Sequence, residues 1–364
     1  MELAQLRKIL NGNRLFRSIA SVKLAVFLII FLMINIIAGT LEQSANGLYQ
    51  AREKYFDAYL SFLGVVPIPG TLTILWLLTI NLICSMISRF KFKISNTGLL
   101  MSHLGLILLF ISGFFHFYYS KESFMSLKEE EKTSISQSYD NWVFELKSFD
   151  SKINKIDSQE IKLNNLKTRN FRLKPDIDIN LVLIYKNAKV FHTPFAGTLI
   201  KEFKVEKDNE KNIPAIKLLI NKKEYFLDGE ENSFLKENIN DQIIILELKR
   251  QESTLPFSVK LIDVTRKLYP NSFIAKSYAS QVIVNDGKLT REARISMNKP
   301  LRVGLYTLYQ SRYLIDMDGN EISTFAVVKN LNYQLPYWAT LLINLGLLIH
   351  FVFAFKNYRK KRIN

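Results

Sequence analysis

Four apolar runs interrupt an otherwise polar chain: Ile19–Ala38, Leu72–Ile87, Gly98–Phe117 and Tyr337–Phe355. Each approaches the ~20 residues a helix needs to cross a bilayer, and the second is the shortest. Between the third and fourth lies a polar block, about 121–335. Within it, short runs rich in β-branched and aromatic residues alternate with turn signals. "NWVFELKSF", "DINLVLIY", "QIIILELKR", "FSVKLIDV" and "SQVIVNDGKLTREARISM" carry the period of two that sends alternate side chains to opposite faces of a strand. "NDG" and "DMDGN" are hairpin turns. The one stretch there that reads as helical is "SLKEEEKTS", a short lead-in. The pattern predicts a membrane protein with four transmembrane α-helices, three N-terminal and one C-terminal, and a large all-β domain between spans three and four. That domain should be a sandwich or an open barrel. By residue number, 1–118 is a membrane region with helices at about 19–38, 72–88 and 98–118. Residues 119–335 form the β-rich domain, and 336–364 the last span with a basic tail.

Charge adds an orientation. Residues 1–18, 88–97 and 356–364, with Lys23, hold 13 Lys/Arg against the single acid Glu2. The loop 39–71 has a net charge of −1, and the polar block +5. Short loops rich in Lys/Arg stay inside, so both termini are expected in the cytoplasm and the β-domain on the outer face. The net charge of +16 is then mostly a topology signal, and no nucleic-acid partner is needed to explain it. The basic start resembles a signal peptide, but the apolar stretch is long and no A-x-A site follows, so the first run reads as an anchor. The basic run Leu163–Lys174, "LNNLKTRNFRLK", reads as a solvated strand face or loop.

The chain has one cysteine, Cys84, near the cytoplasmic end of the second run. The outer domain therefore has no disulfide and no C-x-x-C pair, which excludes thiol–disulfide exchange by this chain. G-x-G-x-x-G, P-loop, H-E-x-x-H and G-x-S-x-G motifs are all missing. His192, in "KVFHTPF", has no acid or cysteine at motif spacing and reads as a surface or turn histidine.

Ionisable groups within a bilayer need a partner or a ligand to offset their desolvation. Three of the four histidines lie in or at the apolar runs: His103, His116 and His350. On a helical wheel Gly98, Ser102, Gly105, Leu109, Ser112 and His116 form one stripe, a small-residue face suited to close helix packing. His103 points about 140° away, among Leu99, Ile107, Phe110, Phe114 and Phe117. An imidazole among large apolar groups suits a haem axial ligand, and equally a hydrogen bond to the next helix. His116 lies ~20 Å further along the axis, at the outer interface, so the two cannot share one iron. His350 lies at a depth similar to His103 and could pair with it. Asn35 and Asn81 read as interhelical hydrogen-bonding groups.

These residues place the chain beside a known family. "SVKLAVFLIIFLMINIIAGTLEQ", with Ser21, Lys23, Gly39, Thr40 and Gln43, is similar to the first-span pattern of the ResB/CcsB-type cytochrome c biogenesis proteins (System II). "NLICSMISRFK" resembles that family's second-span end, and "GLLMSHLGLILLFISG" its H-x-G-L helix, with His103 as the histidine. The outer domain carries L-P-F at Leu255–Phe257, Y-P at Tyr269–Pro270, and S-Y-x-S with Ser277, Tyr278 and Ser280. It continues with Asn298, Pro300 and Leu301, and with Gly304, Tyr306, Tyr309, Gln310 and Ser311. The resemblance covers roughly 20–118 and 250–355. Two departures are Glu42–Gln43, where Pro-Gln is common, and "YQLPYW" before the last span.

The resemblance implies a subunit of the machinery that moves haem b across the bacterial cytoplasmic membrane and joins it to apocytochrome c; plastid membranes use similar proteins. It implies a CcsA/ResC-type membrane partner with a tryptophan-rich haem-binding segment, and a thioredoxin-like thiol reductant. The three tryptophans here, Trp76, Trp142 and Trp338, are far apart, so this chain is not that partner and not a complete lyase. His103 is the implied ligand of the haem iron. His350 as a second ligand and Cys84 as a haem contact are weaker candidates from position. The competing reading is a membrane-anchored β-domain that scaffolds or chaperones exported chains without touching haem. A transporter subunit is less consistent with so few charges in the spans.

Overall fold

The structure is a computed structural model that describes residues 2–91, 93–150, 155–163, 170–173, 177–193, 197–206, 209–220, 222–230, 233–239, 242–272, 275–316 and 318–363. Most of Leu163–Lys174 lies outside the described residues. The chain forms two compact units, Met1–Ser120 with Asn330–Asn364, and Lys121–Lys329.

The first unit is helical. Two short helices, α1 (Glu2–Gly12) and α2 (Arg14–Ile19), precede α3 (Val22–Asn46). A short α4 (Leu48–Ala51) and a π-helical turn, Arg52–Phe56, lead into a hairpin of β1 (Leu60–Leu63) and β2 (Val66–Pro69). Then follow α5 (Thr71–Arg89), α6 (Thr97–Tyr119) and, after the β-domain, α7 (Leu335–Ile363). α3, α5, α6 and α7 are long and apolar enough to cross a membrane. The helix breaks have local causes. Ser21 N-caps α3, its Oγ accepting from Lys23 N at 3.2 Å. α3 runs eight residues beyond the expected Ala38 end, because "GTLEQSAN" is polar yet helix-compatible. It stops at Gly47, whose φ is +89°. At the other end of α5, Arg7 donates through Nε to the Ile87 carbonyl and through Nη2 to the Phe90 carbonyl, both at 2.8 Å. A cation is thereby set on the orphan carbonyls of that helix terminus.

Leu28, Ile74 and Leu78 form the buried centre of α3 and α5, with Phe110 of α6 packed on it. Asn81 donates to the Ile19 and Ser21 carbonyls at 2.5 and 2.9 Å, pinning the α2–α3 break to α5. Asn35, fully buried, donates to the Pro69 carbonyl at 3.0 Å. Both asparagines thus link elements, as their place in apolar runs suggests.

Among the described residues the second unit is built of β-strands, with one 3₁₀ turn at Asn209–Lys211. Its first strands are β3 (Lys121–Lys128), β4 (Lys132–Phe149), β5 (Lys155–Lys162), β6 (Asn170–Leu173) and β7 (Ile177–Tyr185). β8 (Ala188–Thr193), β9 (Gly197–Glu202), β10 (Ala215–Ile220), β11 (Lys223–Asp228) and β12 (Phe234–Ile239) follow. The last six are β13 (Gln242–Leu268), β14 (Ala275–Asn285), β15 (Thr290–Ser296), β16 (Leu301–Val303), β17 (Tyr306–Ile315) and β18 (Glu321–Lys329). The expected helical lead-in is absent. "SLKEEEKTS" spans the β3–β4 turn, where Glu130 takes φ +65° and Glu131 caps the Lys128 N–H at 2.9 Å. Acids that favour a helix in isolation here serve a tight turn between two strands that bury Met125 and Leu127.

Two cores share the long strands β4 and β13. One lobe follows the order β15-β14-β13-β4-β3-β18-β17-β16 around Leu127, Phe257, Val259, Val282, Leu308 and Phe325. In the other, β5, β4, β13 and β12 face β11-β10-β7-β6 across Phe144, Leu146, Ile179, Ile216, Leu218 and Leu246. This is the sandwich arrangement. At the junction the β13–β4 register shifts, between Arg250 and Glu252. There Arg250 donates to the Ser138, Tyr139 and Glu210 carbonyls and lies 4.6 Å over the Trp142 ring. A second shift, between Thr254 and Val259, takes in Pro256, which has no N–H to give to a ladder.

Candidate functional site

α6 and α7 pack backbone to backbone. A Cβ at Gly105 would sit 2.7 Å from Ile343 Cγ1, and one at Gly346 2.6 Å from the Gly98 carbonyl. Ser102 donates from Oγ to the Gly98 carbonyl at 3.1 Å and to the Ile343 carbonyl at 3.3 Å. Further along, Asn332 donates to the Ser112 carbonyl at 2.8 Å, and the Asn330 amide meets His116 Nδ1 at 3.4 Å. The small-residue stripe seen on the wheel is therefore the α7-facing seam of α6. His116 lies in the last turn of α6, at that end of the seam, beside an asparagine.

His103 is on another face. Its Nδ1 lies 2.7 Å from the Leu99 carbonyl, one turn back on the same helix. A carbonyl can only accept, so Nδ1 carries the proton. In the neutral ring Nε2 then keeps its lone pair, as a metal-ligating imidazole must. His103 shares a helical stripe with Phe110 and Phe114, seven and eleven residues on. Toward the C-terminal end of α6 this stripe meets α5: Phe114 stacks on Trp76 with centroids 3.9 Å apart. Seven and eleven residues past Trp76, on the same face of α5, stand Ile83 and Ile87, both exposed. His103 itself is partly exposed, and Leu99 is exposed. The two faces cover each other where the C-terminal end of α6 meets the N-terminal end of α5, while the opposite half presents uncovered apolar surface around one imidazole.

Among the described residues no hydrogen bond joins His350 to His103. The His350 backbone stands against Gly98, in the α6–α7 seam. Its Nδ1 is buried with no hydrogen-bond partner. Cys84 is a free, half-buried thiol on α5, one turn before Ile87. His192 is on β8, exposed, with Nδ1 2.9 Å from Thr198 Oγ1 of the paired strand β9. Among the described residues no group of three or more His, Cys, Asp or Glu gathers as metal ligands.

Several of the β-domain motif residues serve its construction. Leu255 and Phe257 are core. Asn271 holds φ +55° in the turn after Pro270, and Gly304 holds φ +59° between β16 and β17. Tyr278 donates from its hydroxyl to the Ser311 carbonyl at 2.9 Å. Ser280 and Ser323 share a hydrogen bond at 2.7 Å, and Gln310 Nε2 donates to Ser323 Oγ at 2.7 Å. All three side chains are buried, so this polar cluster ties β14 to β17 and β18 across the lobe. Spacing alone could not reveal that these motifs meet. Arg7 and Arg250 gave no sequence signal beyond a basic charge.

A family model, the ResB-like family, matches residues 85–358, which is most of the chain. The match runs from the end of α5 through α6 and the β-domain into α7. No curated protein matches the chain.

Proposed function

The chain belongs to the ResB-like family, and from that premise we propose that it is a membrane subunit of cytochrome c biogenesis of the System II type. It helps haem across the cytoplasmic membrane and presents it for attachment to apocytochrome c on the outer face. His103 supplies one axial ligand to the haem iron, and a CcsA/ResC-type partner supplies the other. The observation that carries this reading is the His103 Nδ1–Leu99 carbonyl bond, which leaves Nε2 free on an uncovered apolar face. Haem offers a matching ligand: a flat apolar disc with an open axial position. Iron chemistry belongs to the haem, and the chain's share is ligation and orientation. Cys84, toward the C-terminal end of α5, is a weaker candidate for a further haem contact. The β-domain holds apocytochrome or braces the partner, and a thioredoxin-like protein keeps the acceptor cysteines reduced.

Haem content decides the matter. The chain and its partner are co-expressed, and pyridine haemochrome is compared between wild type and His103→Ala. Loss of haem in the variant, restored by added imidazole, is the expected result. Equal haem in both would sink the ligand assignment. A complex with no Soret band at all would favour the scaffold reading instead.

A further inference from the structure

The segment between α3 and α5 carries surface that haem handling does not use. After Gly47 the chain turns back along α3. The Phe56 ring lies against Gly39, and Asn35 reaches the Pro69 carbonyl. Asn35 is eleven residues before the end of α3, or about 16 Å down its axis. The β1–β2 hairpin therefore starts alongside the apolar part of α3. Its base is held firmly. Gly70 N and Thr73 Oγ1 donate to the Tyr59 carbonyl at 3.0 and 2.6 Å. The Tyr55 hydroxyl donates to the Phe62 carbonyl at 3.2 Å, and the Tyr59 hydroxyl meets that of Tyr118 in the last turn of α6.

What the hairpin shows outward is apolar. No charged residue occurs between Asp57 and Arg89. Leu60, Phe62, Leu63 and Val66 are about as exposed as the outward residues of α3, and Val65 at the tip is 92% exposed. Gly64, with φ +63°, closes the turn. Five such side chains on a free hairpin are a liability in water. Beside apolar helices they continue the same surface. The outer edges of a two-stranded hairpin leave backbone groups unpaired, which bars it from the hydrocarbon centre but not from the interface. Tyr59 and Tyr118, which meet at its base, suit that depth.

We propose that the β1–β2 hairpin is an interfacial wedge whose tip, Leu63–Val66, enters the headgroup–acyl boundary of the leaflet remote from the chain termini. Its occupant is lipid, without headgroup selection, since the wedge has no charge to select one. This rests on the membrane reading of the four long helices. The test uses the full chain with Cys84→Ala and one new cysteine, at Val65, Leu63, Ile29 or Leu289, labelled with an environment-sensitive fluorophore. Each protein is reconstituted in phosphatidylcholine vesicles bearing nitroxides at the headgroup, at carbon five or at carbon twelve. The Leu63 and Val65 probes should be quenched several-fold more by headgroup and carbon-five nitroxides than by carbon twelve. The Ile29 probe, mid-span, should show the reverse order, and the Leu289 probe, in the exposed β14–β15 turn, should respond only to aqueous iodide. Tip probes that behave like Leu289, or that neither lipid nor iodide reaches, would overturn the wedge while a quenched Ile29 probe leaves the membrane reading standing. An unquenched Ile29 probe would overturn both.

Discussion

Gly346→Ala is the smallest change that asks whether α6 and α7 hold each other by backbone contact. The added methyl would lie 2.5 Å from Ser102 Oγ and 2.6 Å from both the Gly98 carbonyl oxygen and the Ser102 nitrogen. Comfortable contact begins near ~3.5 Å, so the helices must part by most of an ångström or rotate. Two of the three blocking atoms are backbone and cannot swing aside. Overpacking of this kind costs about 1–3 kcal/mol. Parting also stretches the Ser102–Ile343 bond, already 3.3 Å, and such bonds are worth ~0.6 kcal/mol within membranes. Alanine returns ~1 kcal/mol of helix propensity, leaving a net loss of roughly 0.5–2.5 kcal/mol. Gly113→Ala is the control. It lies on α6, the helix that Gly346 packs against, with nothing within 4 Å of the new methyl, so it keeps only the propensity gain. Unfolding in mixed dodecyl sulfate micelles, followed by helical circular dichroism, should show the midpoint fall for Gly346→Ala and hold or rise for Gly113→Ala. If both variants shift alike, or Gly346→Ala melts at or above wild type, the seam is not close-packed and the reasoning fails.

Ser323→Ala should cost about 1–3 kcal/mol, since it strands the buried Ser280 hydroxyl and leaves Gln310 Nε2 only its 3.5 Å bond to the Arg312 carbonyl. Thermal unfolding of the full chain, read at the β-sheet amide band, should show part of that loss recovered in Ser323→Ala/Gln310→Met. Arg250→Met removes the donor that holds three carbonyls at the lobe junction. Deuterium uptake should then rise across residues 138–142, and unchanged uptake would contradict that role. Asp316 gives a pH signature. The Lys128 ammonium at 2.8 Å, helped by Asn320, holds its carboxyl well below the usual carboxylate range. A depressed folded-state value means that the contribution is full above the unfolded value near ~3.9 and is lost as pH falls through the folded one. The stability gap between wild type and Asp316→Asn should therefore narrow between about pH 5 and pH 2. A gap constant with pH would rule out the ion pair as its source.

Much of this fold can be read in the residue pattern, because the bilayer and the sheet each impose a period. The apolar runs mark four helices, and alternation marks the strands. The small-residue stripe on α6 even names the face that α7 covers. What cannot be read is where a helix stops once it leaves the apolar zone, as α3 shows by continuing to Asn46. The acids of "SLKEEEKTS" mislead because tertiary pairing overrides local propensity. "QIIILELKR" and "FSVKLIDV" look like two strands but are one, β13, since the bulges around Arg250 and Pro256 bend it without ending it. In the candidate site, His103 is visible as an ionisable residue in an apolar run. Its tautomer is not, for that depends on a carbonyl freed one turn earlier. The β1–β2 hairpin escapes notice because two strands of four residues give too few alternations to count.

β13 runs 27 residues and serves both lobes, and its main partner, β4, is finished almost a hundred residues earlier. β3, first in the domain, waits still longer for β18, where Lys121 faces Lys329. As the chain is made from its N-terminus, β4 therefore lacks its β13 neighbour until residues 242–268 are made, and β3 lacks β18 until nearly the whole domain has emerged. Neither lobe can be cut away as an independent fragment, because each half of β4 and β13 would take a sheet with it. The consequence is a domain that must be completed before it can be sheltered. Its early strands, among them the buried Leu127 and Phe144, are exposed to proteases and to one another for the longest time.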